Sequence, residues 1–406
     1  MDYQLFDADN HYYEVEDAFT RYGDDEVKRF VRWVSEGKRR HILFGNAMQT
    51  LVPNPTFNPI TKPGAFHARL KELESGGGAR GSAAVGMNDK SRYGVLEQLP
   101  PHYQERDARL KVMDEQGLAG AFLFPTLGVG VEGLNADNIR MTYKAFRAFN
   151  QWVEEDWGFA YQNRLYSAPA IPVLDPVEAT KELELVLSRG ARIVVLRPGP
   201  ANGRSPADPV WDPFWSLLND SGAPVAYHTY GGGDAYDAAF KMLWQRYGQG
   251  DPAYENNLRY SLFAGDRPMI DTAMALVLGN VFGRFPRLRI VSIELGAAWV
   301  PYVLHSLDHA GGIVDRHIQA FGAVVEELPS EVFKRHFWVA PFPEEDVAGL
   351  AKLIGVDRVL FGSDFPHAEG TEQPADFARY LDKLDPSDAK KILRDNAMAL
   401  LQPPTF

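Results

Sequence analysis

The chain has 406 residues, of which 45% are apolar and 24% charged, close to an ordinary globular composition and enough for a large core. A formal charge of −12 speaks against a nucleic-acid partner, which calls for a basic face. The absence of cysteine removes disulfides, thiolate nucleophiles and thiolate-bound zinc.

The first residues, MDYQLFDADNHYYE, contain no basic stretch followed by an apolar one, and no run of about 18 apolar residues occurs anywhere. The expectation is a cytoplasmic protein with no membrane partner. Short apolar runs then alternate with longer amphipathic ones. The runs Gln4–Asp9, Ala119–Pro125, Ser167–Leu174, Arg192–Arg197, Ala223–His228, Leu288–Glu294, His336–Ala340 and Arg358–Asp364 read as eight strands. Several are continuously apolar, as strands buried on both faces are in a parallel sheet.

Helical patterns separate most of them: Asp107–Glu115, Met141–Phe159, Pro176–Ser188, Pro209–Ser221, Thr272–Phe285, Trp299–Phe321 and Pro343–Ile354, with Asp376–Leu384 and Ser387–Leu401 closing the chain. This is α/β alternation. It predicts a single (β/α)8 TIM barrel over residues 1–406, with an open doubly wound sheet as the alternative. No glycine-rich dinucleotide fingerprint follows the first strand, which weakens the open sheet. Two long insertions follow strands 1 and 5, at about residues 20–105 and 231–267. Both leave C-terminal strand ends, the active face of a barrel, and read as lids, subunit contacts or surface elaboration.

Residues able to carry chemistry gather at those same strand ends. Asp9 and His11, two apart in an extended strand, point to one side and offer a carboxylate and an imidazole to a divalent metal. Glu14 follows in the loop. His228 ends the fifth strand and Asp364 the eighth, where Gly362 and Pro366 indicate a constrained backbone; His367 lies just beyond. In isolation each has an ordinary structural explanation as a cap, a turn or a rim residue. Together, at one barrel rim, they predict a metal site. Glu294, ending the sixth strand, is a candidate ligand, catalytic base or buried carboxylate held by a neighbour. Arg197, ending the fourth, could grip a substrate carboxylate or pair with Glu294. Tyr230 is placed on the pocket wall. His305 and His309 stand i,i+4 on one helix, a spacing that can hold zinc but that also suits an exposed face.

These stretches resemble the amidohydrolase superfamily, in its amidohydrolase-related branch of decarboxylases and hydrolases. The resemblance is carried by DADNHYYE, RDARLKVMDEQGLAGAFLFP, RLYSAPAIPVLDPVEA, PVAYH, LRIVSIELGAAWVPYVL, RVLFGSDFPHAEG and KILRDNAMALL. It implies a (β/α)8 barrel and a mononuclear zinc, manganese or iron site, with Asp9 and His11 from the first strand, His228 from the fifth and Asp364 from the eighth. Two departures stand out. Many hydrolases of the superfamily have His-x-His where this chain has Asp9 and His11. Decarboxylases of the branch tend to carry a histidine after the sixth strand, where this chain has Glu294-Leu295-Gly296.

The expected function is a metal-dependent hydrolase or non-oxidative decarboxylase of a small aromatic or carboxylate-bearing substrate, with Asp364 or Glu294 moving the proton. A dinuclear iron or manganese oxygenase is the second expectation, with Glu14, Glu294 and His367 as extra ligands. A non-catalytic barrel subunit is the third. The long insertions suggest a homo-oligomer, or a hetero-oligomer in the third case.

Overall fold

Continuous apolar runs become strands because burying both faces of an extended segment removes its branched side chains from water. All eight residues of the first strand, Leu5–Tyr12, are buried. The computed structural model describes residues 2–37, 39–50, 52, 54–65, 96–229, 236, 265–314 and 327–404. The first strand pairs in parallel with Leu118–Pro125, which pairs in turn with Leu165–Ser167. Val194–Leu196, Val225–His228, Ile290–Ile293 and Phe337–Val339 form a second parallel sheet in chain order.

Single bridges join these sheets into a ring. Ala170 meets Val195, Val339 meets Val359, and Asn10 meets Phe365, all in parallel. Between the eighth segment and the first strand, Ala8 N–H donates to Phe361 O and His11 N–H to Phe365 O, at 2.9 and 2.7 Å. The barrel is therefore closed in the order 1 to 8, and the open-sheet alternative falls. The third and eighth runs are less regular than expected. Pro169 and Pro172 remove ladder donors from the third, so regular pairing ends at Ser167. In the eighth, Ser363 N–H turns to the Asp7 carboxylate.

Helices cover the barrel and start where their caps dictate. Asp175 accepts from the N–H groups of Val177 and Glu178, and Pro176 takes the first position of Pro176–Ser188. Gly117, at φ 72°, ends Arg106–Gln116 and leads directly into the second strand. The expected helix Thr272–Phe285 is two helices, Arg267–Leu278 and Val281–Arg284, because Asn280 adopts a left-handed conformation between them. The His336 position is also corrected: it ends a helix, Pro329–His336, and its ring packs on Phe282 instead of opening the seventh strand. Among the described residues no helix is long and apolar enough to cross a membrane.

The insertion after the first strand has structure of its own. Asp25–Phe30 is helical, and Val31–Glu36, Arg39–Phe44 and Ala47–Met48 form an antiparallel sheet. Phe19 docks it: its ring meets Phe44 edge-on and stacks on Phe149 of a barrel helix at 4.4 Å. Residues 66–95 of this insertion lie outside the described residues, as does the insertion 231–267 apart from Tyr236 and 265–267.

The C-terminal helix Asn396–Leu400 is tied to the eighth segment by one side chain. Asn396 Nδ2 donates to the carbonyls of Val356 and Val359, both at 2.8 Å. Asn396→Ala would leave those carbonyls without that donor, and a loss of about 1–3 kcal/mol follows. A melting temperature equal to wild type would contradict this role.

Candidate metal centre

The site is built on a fault in the first strand. Its register against the second strand shifts between Asp7 and Asn10. Such a bulge re-aims side chains, and here it brings Asp9 beside His11 at the strand's C-terminal end. His11 lies within the strand, not in the loop beyond it. Asp9 Oδ1 is 3.3 Å from His11 Nε2, and His11 Nε2 is 3.4 Å from Asp364 Oδ1. His228 Nε2, from the fifth strand, is 3.1 Å from His11 Nε2 and 3.7 Å from Asp9 Oδ1. Glu294 Oε2, after the sixth strand, is 3.4 Å from His228 Nε2. Four strand ends thus converge on one volume.

The backbone here is held closely. Gly362 faces Asp9, and a Cβ at that position would stand 2.6 Å from the Asp9 Cβ. Glu294 and Asp364 both adopt φ 53°, a left-handed conformation that costs a non-glycine residue about 1–2 kcal/mol. Beneath them, Asp7 joins the first strand to the eighth. Its carboxylate accepts from Ser363 N–H at 3.0 Å, Ser363 Oγ–H at 2.5 Å and Asn10 Nδ2 at 2.9 Å.

The donor set fits a divalent cation. His228 Nδ1 faces the Thr229 carbonyl at 3.0 Å, so that nitrogen carries the proton and Nε2 turns a lone pair to the centre. Asp9 Oδ1 is buried with no hydrogen-bond partner among the described residues. At ion–ligand bonds of about 2.0–2.2 Å, neighbouring ligands of a tetrahedral site lie about 3.3–3.6 Å apart. Asp9, His11 and His228 are separated by 3.1 to 3.7 Å, close to that range, and Asp364 stands 3.4 Å from His11.

The electrostatics point the same way. Burial opposes ionisation of Asp9, and a proton on the facing His11 or His228 ring draws the carboxyl back below the usual carboxylate range. Burial, with His367 nearby, keeps His11 well below an ordinary imidazole, and so neutral as a ligand must be. Burial pushes Glu294 well up, reinforced by Asp364 and Asp9. Asp364 moves the same way through burial and the charges of Glu369, Asp9 and Asp7. So many acids crowded into one buried volume need a positive charge among them.

Not every expected residue joins the site. Glu14 does not: its carboxylate accepts from the N–H groups of Thr126, Leu127 and Gly128 at 2.9–3.1 Å, pinning the loop after the second strand. Arg197 does not pair with Glu294; its Nε donates to Glu132 at 2.9 Å. His367 is present, but both ring nitrogens have partners, Asp364 at 2.7 Å and Thr126 Oγ1 at 3.0 Å. Tyr230 lies outside the described residues. His305 and His309 are exposed on their helix. Sequence reasoning missed Asp7, Ser363, Thr126, Glu132 and Glu369. Of these, only Asp7 carried a signal, as a second acid in alternation with Asp9.

Two outcomes follow. Asp9→Asn and His228→Ala should each weaken zinc or manganese binding at least about 100-fold, while Glu14→Gln leaves it within a few-fold; titration calorimetry separates them. Burial lifts Asp7 and Glu14 to about 7, whereas an unfolded chain titrates its acids near about 4. Between those values Asp7 and Glu14 keep protons that the unfolded chain has lost, while His11, His102 and His336, pushed down by burial, act oppositely below about 6.5, so the stability of the metal-free protein falls as pH rises from about 6.5 to 8. A saturating cation should flatten the share due to Glu294 and Asp364. Stability that rises across this window without metal would refute the account.

The amidohydrolase family model matches residues 7–402. An amidohydrolase from Mycobacterium avium subsp. paratuberculosis K-10 superposes with a TM-score of 0.86 at 37% identity, over 99% of this chain and 100% of that one. 5-Carboxyvanillate decarboxylase from Sphingomonas paucimobilis gives 0.51 at 24% identity, over 73% and 83%. A dihydroxybenzoic acid decarboxylase from Polaromonas sp. JS666, with manganese and 2-nitroresorcinol, gives 0.52 at 19%, over 73% and 85%. The last two attest the shared fold. With a family model spanning nearly its whole length and a full-length likeness at 37% identity, this chain belongs to the amidohydrolase family.

Proposed function

We propose that this chain is a divalent-metal-dependent enzyme that acts on a small carboxylate-bearing, apolar or aromatic substrate, by hydrolysis or by release of CO2. The observation that carries this reading is the buried cluster of Asp9, His11 and His228, whose ligand atoms lie within 4.8 Å of one another, with Asp364 joined to it through His11 at 3.4 Å. Asp9, His11, His228 and Asp364 would hold the cation; zinc, manganese and iron all suit such nitrogen and oxygen donors. Manganese in the Polaromonas enzyme is consistent with that choice. When bound, a divalent cation supplies charge that polarises a carbonyl or carboxyl group and eases the deprotonation of water.

The chain's own residues handle the proton. Oxygens of Asp364 and Glu294 lie within 4.8 Å of each other, and both groups are pushed toward the acid form. In hydrolysis one of them, ionised once a cation is bound beside it, would take a proton from water and return it to the leaving group. In decarboxylation the bond to the carboxyl carbon breaks, its electron pair stays on the substrate, and one of these acids protonates that carbon. His367 restrains the Asp364 carboxylate through its 2.7 Å contact. A small cavity beside His228, with Phe146, Ile171 and Leu196 among its walls, would receive a substituent of the substrate.

A dinuclear oxygenase is the second reading, because oxygens of Glu294, Asp364 and Glu369 also lie within 4.8 Å of one another. It has lost Glu14 as a ligand. A non-catalytic barrel is the third reading, but such a scaffold has no use for so many buried acids.

Metal counting separates these readings. One ion per chain, with activity lost in chelator and restored by zinc or manganese, supports the first; two irons with O2 consumption support the second. Asp364→Asn should lower turnover by about 10²-fold or more, with the fold intact by circular dichroism. Retained turnover in that variant removes Asp364 from the mechanism. Label from 18O-water in the product marks hydrolysis; deuterium on carbon with CO2 release marks decarboxylation.

A further inference from the structure

The cavity beside His228 has an unusual floor. Its walls are apolar, with Phe146, Ile171 and Leu196 among them, yet Glu132 and Arg197 also line it. They come from different loops, Glu132 from the short turn after the second strand and Arg197 from the end of the fourth. The Arg197 Nε–H donates to Glu132 Oε1 at 2.9 Å, with both side chains about 5–6% exposed. The same oxygen accepts Val173 N–H at 3.0 Å, and Arg197 Nη1–H donates to Pro200 O at 3.3 Å. The carboxylate is therefore anchored on two sides and cannot swing away without breaking a backbone bond.

An arginine at a substrate mouth ordinarily recruits an anion. Here a fixed carboxylate already occupies that role. A second anionic group entering the cavity would meet a pair of near-zero net charge and the Glu132 carboxylate itself. It would lose its hydration without gaining a partner. The free volume, about 20 Å³, is little more than the roughly 10–15 Å³ that one water needs. Charge and size thus select together.

We propose that Glu132 is a specificity-determining residue: by holding Arg197 in a buried pair it makes the cavity next to His228 neutral, so that the substrate group entering there is small, apolar and uncharged. The substrate class that follows is a monocarboxylate, its acid group at the metal centre and a methyl-sized or hydrogen substituent in the cavity. Dicarboxylates are excluded by charge. This rests on the reading of the barrel mouth as a metal-dependent substrate site.

The test uses the full chain loaded with zinc or manganese and measures, by titration calorimetry, the affinities of benzene-1,3- and benzene-1,4-dicarboxylate against 3- and 4-methylbenzoate. Wild type should favour the methylbenzoates. Glu132→Ala removes the competing carboxylate and opens its space, and should shift the ratio toward a dicarboxylate at least 10-fold. Glu132→Gln keeps the shape and the Val173 bond, and should shift it in the same direction by a smaller factor. Adding Arg197→Met to Glu132→Ala should return the ratio toward wild type, because the cation responsible is gone. A ratio unchanged in both single variants overturns the role of Glu132 alone. If none of the four compounds binds metal-loaded wild type, the reading of the site falls and the proposed preference falls with it.

Discussion

Everything in this molecule is arranged around a repulsion. Asp7, Asp9, Glu294 and Asp364 occupy one buried region at the mouth of the barrel, and low-dielectric surroundings make their mutual repulsion far larger than it would be in water. The fold meets this in layers. Asp7 is satisfied by Ser363 and Asn10 and needs no cation. Asp9 is ionised when a proton on a facing imidazole, or a cation, offsets its burial. Glu294 and Asp364 retain protons unless a positive charge arrives. That ordering separates an acid that staples the structure from acids whose charge depends on what enters the site, although all stand within a few residues of a strand end.

The seam between the first and last strands bears most of the constraint. Asp364 N–H and the Asp9 carbonyl are 2.8 Å apart, Gly362 admits the Asp9 side chain against its backbone, and Asp7 grips Ser363 from below. A barrel must close somewhere, and here closure and ligand placement are one act. The left-handed backbone at Glu294 and Asp364 fits the same logic. Strain at single residues persists where surrounding contacts over-determine it, and both of these residues turn a carboxylate inward just as the strand gives way to the loop.

Much of this was legible in the sequence, and the limits have physical causes. Apolar runs marked the eight barrel segments because burial on both faces leaves a compositional trace. Asp9, His11, His228 and Asp364 were recognisable because strand ends converge in any closed parallel barrel. Strand irregularity was less visible: the shift between Asp7 and Asn10 leaves no trace in residue type, and a simple alternation placed Asp9 and His11 together for a partly wrong reason. Glu14 misled because an acid near a metal motif cannot be told from an acid that caps a loop until the N–H groups of Thr126, Leu127 and Gly128 are located. Glu132 was invisible because its partner is 65 residues away and no local pattern requires it.

Two of the acids that sequence reasoning misjudged or missed, Glu14 and Glu132, have related effects. Each takes up a group that would otherwise be offered to the substrate mouth: Glu14 the N–H groups of the second-strand loop, Glu132 the guanidinium of Arg197. Both engage that same loop, whose Gly128 lines the cavity and whose Thr126 hydroxyl contacts His367. The loop therefore touches two regions of the site. One end fixes the ring that restrains Asp364, and the other fixes the charge next to His228. A barrel of this kind can keep its metal ligands and still change its substrate by altering how one loop spends its hydrogen bonds, because ligand geometry rests on the strand ends while selectivity rests on the groups that neutralise what the loops would otherwise present.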